Sequence, residues 1–256
     1  MVGCAARWSP EEPGASDGVG VTGCPAQGAD LQRPSMLPAL AHIDTWIFDL
    51  DNTLYPASAN LFALIDARMT EFVADLLGLD PVAARRVQKD YFLDHGTTLA
   101  GLMAHHEIDP SAFLAYVHDI EMDVLEANAP LAAHLATLPG RKLVFTNGDK
   151  PYALKVLDRL GLGESFEAVH DIVAMDLTPK PAASAYAGLC AAFGIDPTRA
   201  LFVEDMARNL KPAKAIGMTT VWVDNGSEQH HDADRDYVDY RTDDLTHWLE
   251  TILEAA

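Results

Sequence analysis

The chain has 256 residues, 49% hydrophobic and 22% charged, which is globular composition sufficient for one large domain or a domain carrying an insertion. With 38 acidic against 18 basic side chains the formal net charge is −20, which argues against a protein that grips nucleic acid or an anionic membrane by counterion release. No stretch reaches the roughly 18 consecutive apolar residues of a membrane span, and the N-terminus lacks the basic start and apolar run of a secretory signal, so a cytoplasmic protein is expected.

Residues 1–38 read as a tail. Positions 1–35 hold six Gly and four Pro with almost no periodic apolar pattern, so the segment cannot bury enough to offset its ordering entropy. It is expected either to be disordered or to reflect a start assigned too early, because Met36 directly precedes the first structured run. Cys4, Cys24 and Cys190 have neither zinc-ligand spacing nor an even count, and Cys190 reads as a buried small hydrophobe.

From Thr45 short β-rich apolar runs alternate with helical stretches. T-W-I-F at 45–48 ends in Asp49, K-L-V-F at 142–145 in Thr146, A-L-F-V at 200–203 in Glu204, and T-T-V-W-V at 219–223 in Asp224. Weaker strands are expected at Ala168–His170 and Tyr237–Tyr240. Helices are expected over 151–160, between Pro151 and Gly161, over 181–193 and 206–216, and over 243–254 behind an Asp243 cap. The alternation predicts an α/β fold built on a doubly wound, Rossmann-like parallel sheet.

One interval breaks the pattern. Between the first strand and K-L-V-F, apolar residues recur at helical spacing: Leu61, Leu64, Ile65 and Phe72; Leu99, Leu102 and Met103; Phe113, Val117 and Ile120. This predicts an all-helical insertion over 57–130, with the α/β core formed by 39–56 and 131–256. An insertion after the first strand overhangs the carboxyl ends of the strands, where ligands of such sheets bind, and therefore reads as a cap.

The sharpest chemistry is D-L-D-N-T-L at Asp49–Leu54. Two carboxylates at i and i+2 leaving a strand can face one crevice, one attacking an electrophile while the other exchanges a proton. Taken alone the stretch also reads as an Asx-rich turn. Thr146-Asn147-Gly148 offers a hydroxyl, an amide and backbone N–H groups to an anion. Lys180, between Pro179 and Pro181, suits a fixed point charge. Glu204-Asp205 supplies carboxylates for a hard metal, with Asn209 one turn later. Each alone has a bland reading as a turn, a rigid loop or a helix start; all at strand ends in this order do not.

The four motifs resemble those of the haloacid dehalogenase superfamily, over about residues 43–250. The resemblance implies that Asp49 is a nucleophile forming an aspartyl-phosphate, and that Asp51 protonates the leaving group and then activates water. It implies that Thr146 and Lys180 hold the phosphoryl oxygens, and that Mg²⁺ takes Asp49, the Asp51 backbone carbonyl and Asp205, with Glu204 close by. Members that cleave carbon–halogen bonds lack the second acid, so Asp51 points away from dehalogenation.

Within the helical-cap class several stretches look like the pyrimidine 5′-nucleotidases: D-L-D-N-T-L-Y-P, I-D-A-R-M at 65–69, H-G-T-T-L-A-G-L at 95–102, V-H-D-I at 117–120 and L-P-G-R-K at 138–142. In that branch the G-T-T-L stretch comes near the substrate, which places Gly96, Thr97 and Thr98 at a nucleotide. Arg68 could reach the phosphate or base, or could cover apolar surface with its stem. His95 and His170 stand where the branch carries Tyr and Phe. The expected substrate is thus a small phosphorylated metabolite, foremost a pyrimidine nucleoside 5′-monophosphate. A phosphoglycolate or sugar phosphatase is the alternative enzyme, and a non-catalytic binding protein on the same fold the alternative of another class. The pairs His105-His106 and His230-His231 read as solvated surface, since neighbouring helical side chains diverge.

Overall fold

The computed structural model describes residues 37–227 and 235–254. Six parallel strands, β1 (Thr45–Phe48), β2 (Arg141–Phe145), β3 (Ala168–His170), β4 (Ala200–Glu204), β5 (Thr219–Val223) and β6 (Tyr240–Thr242), form one sheet in the order β3-β2-β1-β4-β5-β6. Every residue of β1 and β4 is buried. Helices cover both faces of such a sheet, which is why these strands are unbroken apolar runs rather than alternating ones. Thr45 pairs with Arg141 on one side and Ala200 on the other. The strand order therefore reverses between β1 and β4, opening a crevice beyond their carboxyl ends.

The insertion between β1 and β2 begins with α1 (Leu61–Leu77), α2 (Pro81–His95), α3 (Thr98–His105) and α4 (Pro110–Val117). Asp80 and Asp109 cap α2 and α4 through their side chains, each followed by a proline in the first turn. Gly101 lets α3 lie directly on α2, because a Cβ there would fall 2.3 Å from the Cβ of Tyr91. Inside this layer the carboxylate of Asp66, on α1, meets Arg85, Gln88 and Lys89 of α2, each at 2.6 Å. The network ties the two longest helices of the insertion together by charge as well as by packing.

Behind the insertion come α5 (Ala129–Thr137), α6 (Lys150–Arg159), α7 (Ala183–Phe193), α8 (Ala207–Ala215) and α9 (Leu245–Glu254). Among the described residues no helix is long and apolar enough to cross a membrane. Helix α5, which starts at Ala129, packs on α9.

Three expected boundaries shift. The last strand starts at Tyr240 instead of Tyr237, because Tyr237 and Asp239 are drawn in by bonds to Thr220, and the regular ladder forms only beyond them. Asp244, not Asp243, caps α9, accepting from the His247 N–H at 3.1 Å. The tail was expected to run to residue 38, yet the Leu37 N–H bonds the Ile252 carbonyl at 2.9 Å, and a 3₁₀ turn over Pro38–Leu40 buries Leu40. The rest of that tail, residues 1–36, and His230-His231 lie outside the described residues.

Candidate active site

The backbone of Asp49 continues the ladder of β1, its N–H bonding the Val203 carbonyl at 2.9 Å, so its carboxylate is fixed at the strand end. Oδ2 accepts from the Thr53 hydroxyl at 3.1 Å, and Oδ1 from Lys180 Nζ at 2.7 Å. Lys180 is only 1% exposed. Its ammonium also donates to Glu204 Oε2 at 2.7 Å and to the Phe145 carbonyl at 2.8 Å, which uses all three of its hydrogens. Burial works against the charge on Lys180, but the Asp49 and Glu204 carboxylates outweigh it and raise its pKa.

Asn147 lies apart from its expected role as an amide aimed at an anion. Its Oδ1 accepts from the Lys180 N–H at 2.8 Å and its Nδ2 donates to the Lys180 carbonyl at 3.2 Å. The side-chain amide thus meets both backbone groups of one residue, so Asn147 clamps the Pro179–Pro181 loop. Thr146 is buried, and its hydroxyl accepts from the Gly148 N–H at 3.0 Å, closing the turn after β2.

Asp49, Glu204 and Asp205 are all buried, with carboxylate oxygens within 4.8 Å of one another. Burial, followed by the Glu204 charge, pushes the Asp49 carboxyl up to about 7, even with Lys180 pulling it down. Burial and the Glu204 and Asp49 charges likewise hold Asp205 well above the usual carboxylate range. Three acids around one ammonium leave negative charge unopposed, and an oxygen-only donor set fits a hard divalent cation such as Mg²⁺. Asn209 adds a buried Oδ1 with no hydrogen-bond partner among the described residues. Glu204 is the acid most taken up by protein, since its other oxygen accepts from the Met206 N–H at 3.2 Å.

Asp51 is gripped by two residues the sequence reading did not single out. Its Oδ1 accepts from Tyr55 at 2.6 Å and from Tyr152 at 2.5 Å. Burial raises the pKa of Asp51, with the two phenols opposing the shift. Burial also raises both tyrosines well above their usual value, so they remain donors. Tyr152 stacks on His118, with ring centroids 4.2 Å apart, and His118 Nδ1 lies 2.9 Å from Asp149 Oδ1. The available signals were faint: Tyr55 sits four residues beyond Asp51, and Tyr152 falls on the first turn of the helix that follows Thr146-Asn147-Gly148.

The four expected residues of the insertion fare differently. Gly96 reaches the core: a Cβ there would lie 3.7 Å from the Lys180 carbonyl and 3.8 Å from Pro179 and Pro181. Its carbonyl accepts from Arg208 of α8 at 3.3 Å. Thr97 is the N-cap of α3, accepting from the Ala100 N–H at 3.1 Å, and Thr98 is buried with its hydroxyl 3.4 Å from the Gln88 carbonyl. Both threonine side chains thus serve the insertion's own helices instead of standing free for a base. Arg68 is occupied too, its guanidinium 3.9 Å from the centre of the Tyr116 ring and 3.2 Å from Glu71.

With a buried lysine set among carboxylates at the ends of β1 and β4, the chain matches the model of the haloacid dehalogenase-like hydrolases over residues 43–217. It belongs to that family. The chain is 25% identical over 189 residues to Phosphate metabolism protein 8 of Saccharomyces cerevisiae, covering 68% of this chain and 59% of that protein, so it spans less than two thirds of that relative. It is also 25% identical over 235 residues to the phosphoglycolate phosphatase of Pseudomonas putida, covering 85% of this chain and 81% of the relative. Among solved structures, YfnB from Bacillus subtilis, bound to magnesium, shares this chain's fold with a TM-score of 0.55 at 15% identity, covering 83% of this chain and 99% of that one.

Proposed function

We propose that this hydrolase is a Mg²⁺-dependent phosphomonoesterase acting through an aspartyl-phosphate. The observation that carries the reading is the buried set of Asp49, Lys180, Glu204 and Asp205 with Asp51 beside it. Asp49 attacks phosphorus, the bond to the leaving oxygen breaks, and Asp51 gives that oxygen its proton. Asp51 then takes a proton from water, which attacks the phosphorus of the acyl-phosphate and frees Asp49 and phosphate. Asp49, Asp205 and the Asp51 carbonyl would hold Mg²⁺, which supplies positive charge against the phosphoryl oxygens. Lys180 adds a second positive charge, reached by exchanging one of its present bonds for a phosphoryl oxygen. Asn147 acts through the Lys180 loop as a positioning residue.

Tyr55 and Tyr152 give Asp51 its orientation in this scheme. Both phenols hold Oδ1, which leaves Oδ2 as the oxygen that carries the proton to the leaving group. Tyr152→Phe is therefore expected to lower kcat/KM for a nucleotide, whose leaving alkoxide needs a proton, by about tenfold or more. For p-nitrophenyl phosphate, whose phenolate leaves without help, kcat/KM should stay within about threefold. Equal losses on both substrates would mean that Tyr152 only supports the fold.

Pyrimidine nucleoside 5′-monophosphates are the proposed substrates. The support is the H-G-T-T-L-A-G-L stretch, and Gly96 of that stretch rests on the loop that carries Lys180. Backbone at this corner, not the threonine hydroxyls, is then what faces the base. UMP and CMP should show kcat/KM at least about tenfold above AMP and GMP, a gap of about 1.4 kcal/mol that one steric exclusion supplies. The phosphoglycolate phosphatase relative supports the second reading, and a tenfold advantage of phosphoglycolate over UMP would replace the nucleotide with it.

A further inference from the structure

We infer that His95 and His105 form a binding site for a borderline divalent transition cation, of the Ni²⁺, Cu²⁺ or Zn²⁺ kind, on the inserted helices and separate from the carboxylate cluster. His95 closes α2 and His105 closes α3, and the tight corner between the helices brings the two imidazoles together with Nε2 atoms 3.1 Å apart. With metal–nitrogen bonds of about 2.0–2.1 Å, two nitrogens so spaced subtend an angle of about 98° at a shared ion, the angle of neighbouring ligands in square-planar or octahedral coordination. Two neutral imidazoles facing each other through Nε2 at this distance need a proton between them, one ring donating and the other accepting. A cation takes both lone pairs at once, leaving each Nδ1 to carry the ring's proton.

The rings are held before any ion arrives. Tyr91 stacks face to face on His105, with centroids 5.3 Å apart and planes 7° apart, and meets His95 edge-on at 6.1 Å. Tyr91 itself is anchored by its hydroxyl, 2.8 Å from His106 Nε2. His106, the sequence neighbour of His105, is thus a support and not a ligand. The pair is open to solvent, so water fills the remaining coordination positions, and the formal net charge of −20 favours any cation at the surface. Softness separates this site from the other: imidazole nitrogens select borderline ions, whereas the carboxylates select hard ones.

The test is a Ni²⁺ titration by calorimetry of the full chain in excess Mg²⁺, which keeps the carboxylate cluster occupied. Wild-type protein should bind Ni²⁺ at least tenfold more tightly than His95→Gln and than His105→Gln, while Asp205→Asn should retain wild-type Ni²⁺ affinity. His105 is exposed, and matched melting temperatures would show that its variant folds. The inference is overturned if wild-type protein shows no saturable Ni²⁺ binding under these conditions. It is equally overturned if both histidine variants keep an affinity within threefold of wild type, or if Asp205→Asn loses the ion. None of these outcomes bears on the phosphatase reading.

Discussion

Asp49→Asn should remove nearly all turnover of a nucleotide, by about four orders of magnitude in kcat, while leaving the chain folded. An amide oxygen is too weak a nucleophile to form the acyl-phosphate, although the side chain keeps the shape of the carboxylate and its one oxygen can still accept from Lys180, with the NH2 turned to the Thr53 hydroxyl oxygen. A variant that kept a few per cent of wild-type kcat would move the nucleophile elsewhere. The same substitution has a stability signature with a definite sign. Asp49 is raised from 3.8 to about 7 in the fold, so the folded state binds its proton more tightly than the unfolded chain does. Its contribution is therefore fully present below pH 4 and is lost as pH rises toward and through 7. In chelator, wild-type melting temperature should fall relative to Asp49→Asn across that window, and Mg²⁺ should reduce the difference by favouring the ionised form. Parallel melting curves from pH 4 to 8 would show that Asp49 ionises without cost.

Lys180→Met should do damage of two kinds. The methionine side chain fills much of the same buried space but leaves the Phe145 carbonyl without its donor and sets Asp49, Glu204 and Asp205 against one another with no cation among them. Breaking a buried ion pair on one side costs about 3–5 kcal/mol, which urea unfolding in chelator would register. Excess Mg²⁺ should recover part of that loss, since it restores positive charge to the cluster. Activity measured in Mg²⁺, where the variant is folded, should fall by about 10²–10³ in kcat/KM, with KM raised and kcat lowered together. A change confined to KM would mean that Lys180 contributes only to ground-state binding. Stability equal to wild type in chelator would mean that the carboxylates take up protons and need no ammonium.

The strongest sequence signals were those that local physics can write. The apolar runs at 45–48, 142–145, 200–203 and 219–223 became strands because a sheet covered on both faces demands continuous burial, and the caps and prolines around α2, α4 and α6 follow from unpaired backbone groups at helix ends. Asp49, Thr146 and Glu204-Asp205 come to one end of the sheet because β1, β2 and β4 end there in parallel, whereas Lys180 lies well beyond the end of β3 at His170 and its loop is held in place by Asn147. What the tertiary structure decided were partnerships across long separations. Asn147 grips the Lys180 peptide 33 residues away, Tyr152 reaches Asp51 across 101 residues, and His95 meets His105 instead of His106 doing so. Each is a matter of side-chain direction, fixed when helices pack against one another and against the sheet. Periodicity says which face of a helix is buried but not which polar atom across the gap completes the bond. Thr97 and Thr98 read as free hydroxyls in the sequence, yet Thr97 is committed to the local cap of α3, and the docking of α3 on α2 commits Thr98 to the Gln88 carbonyl.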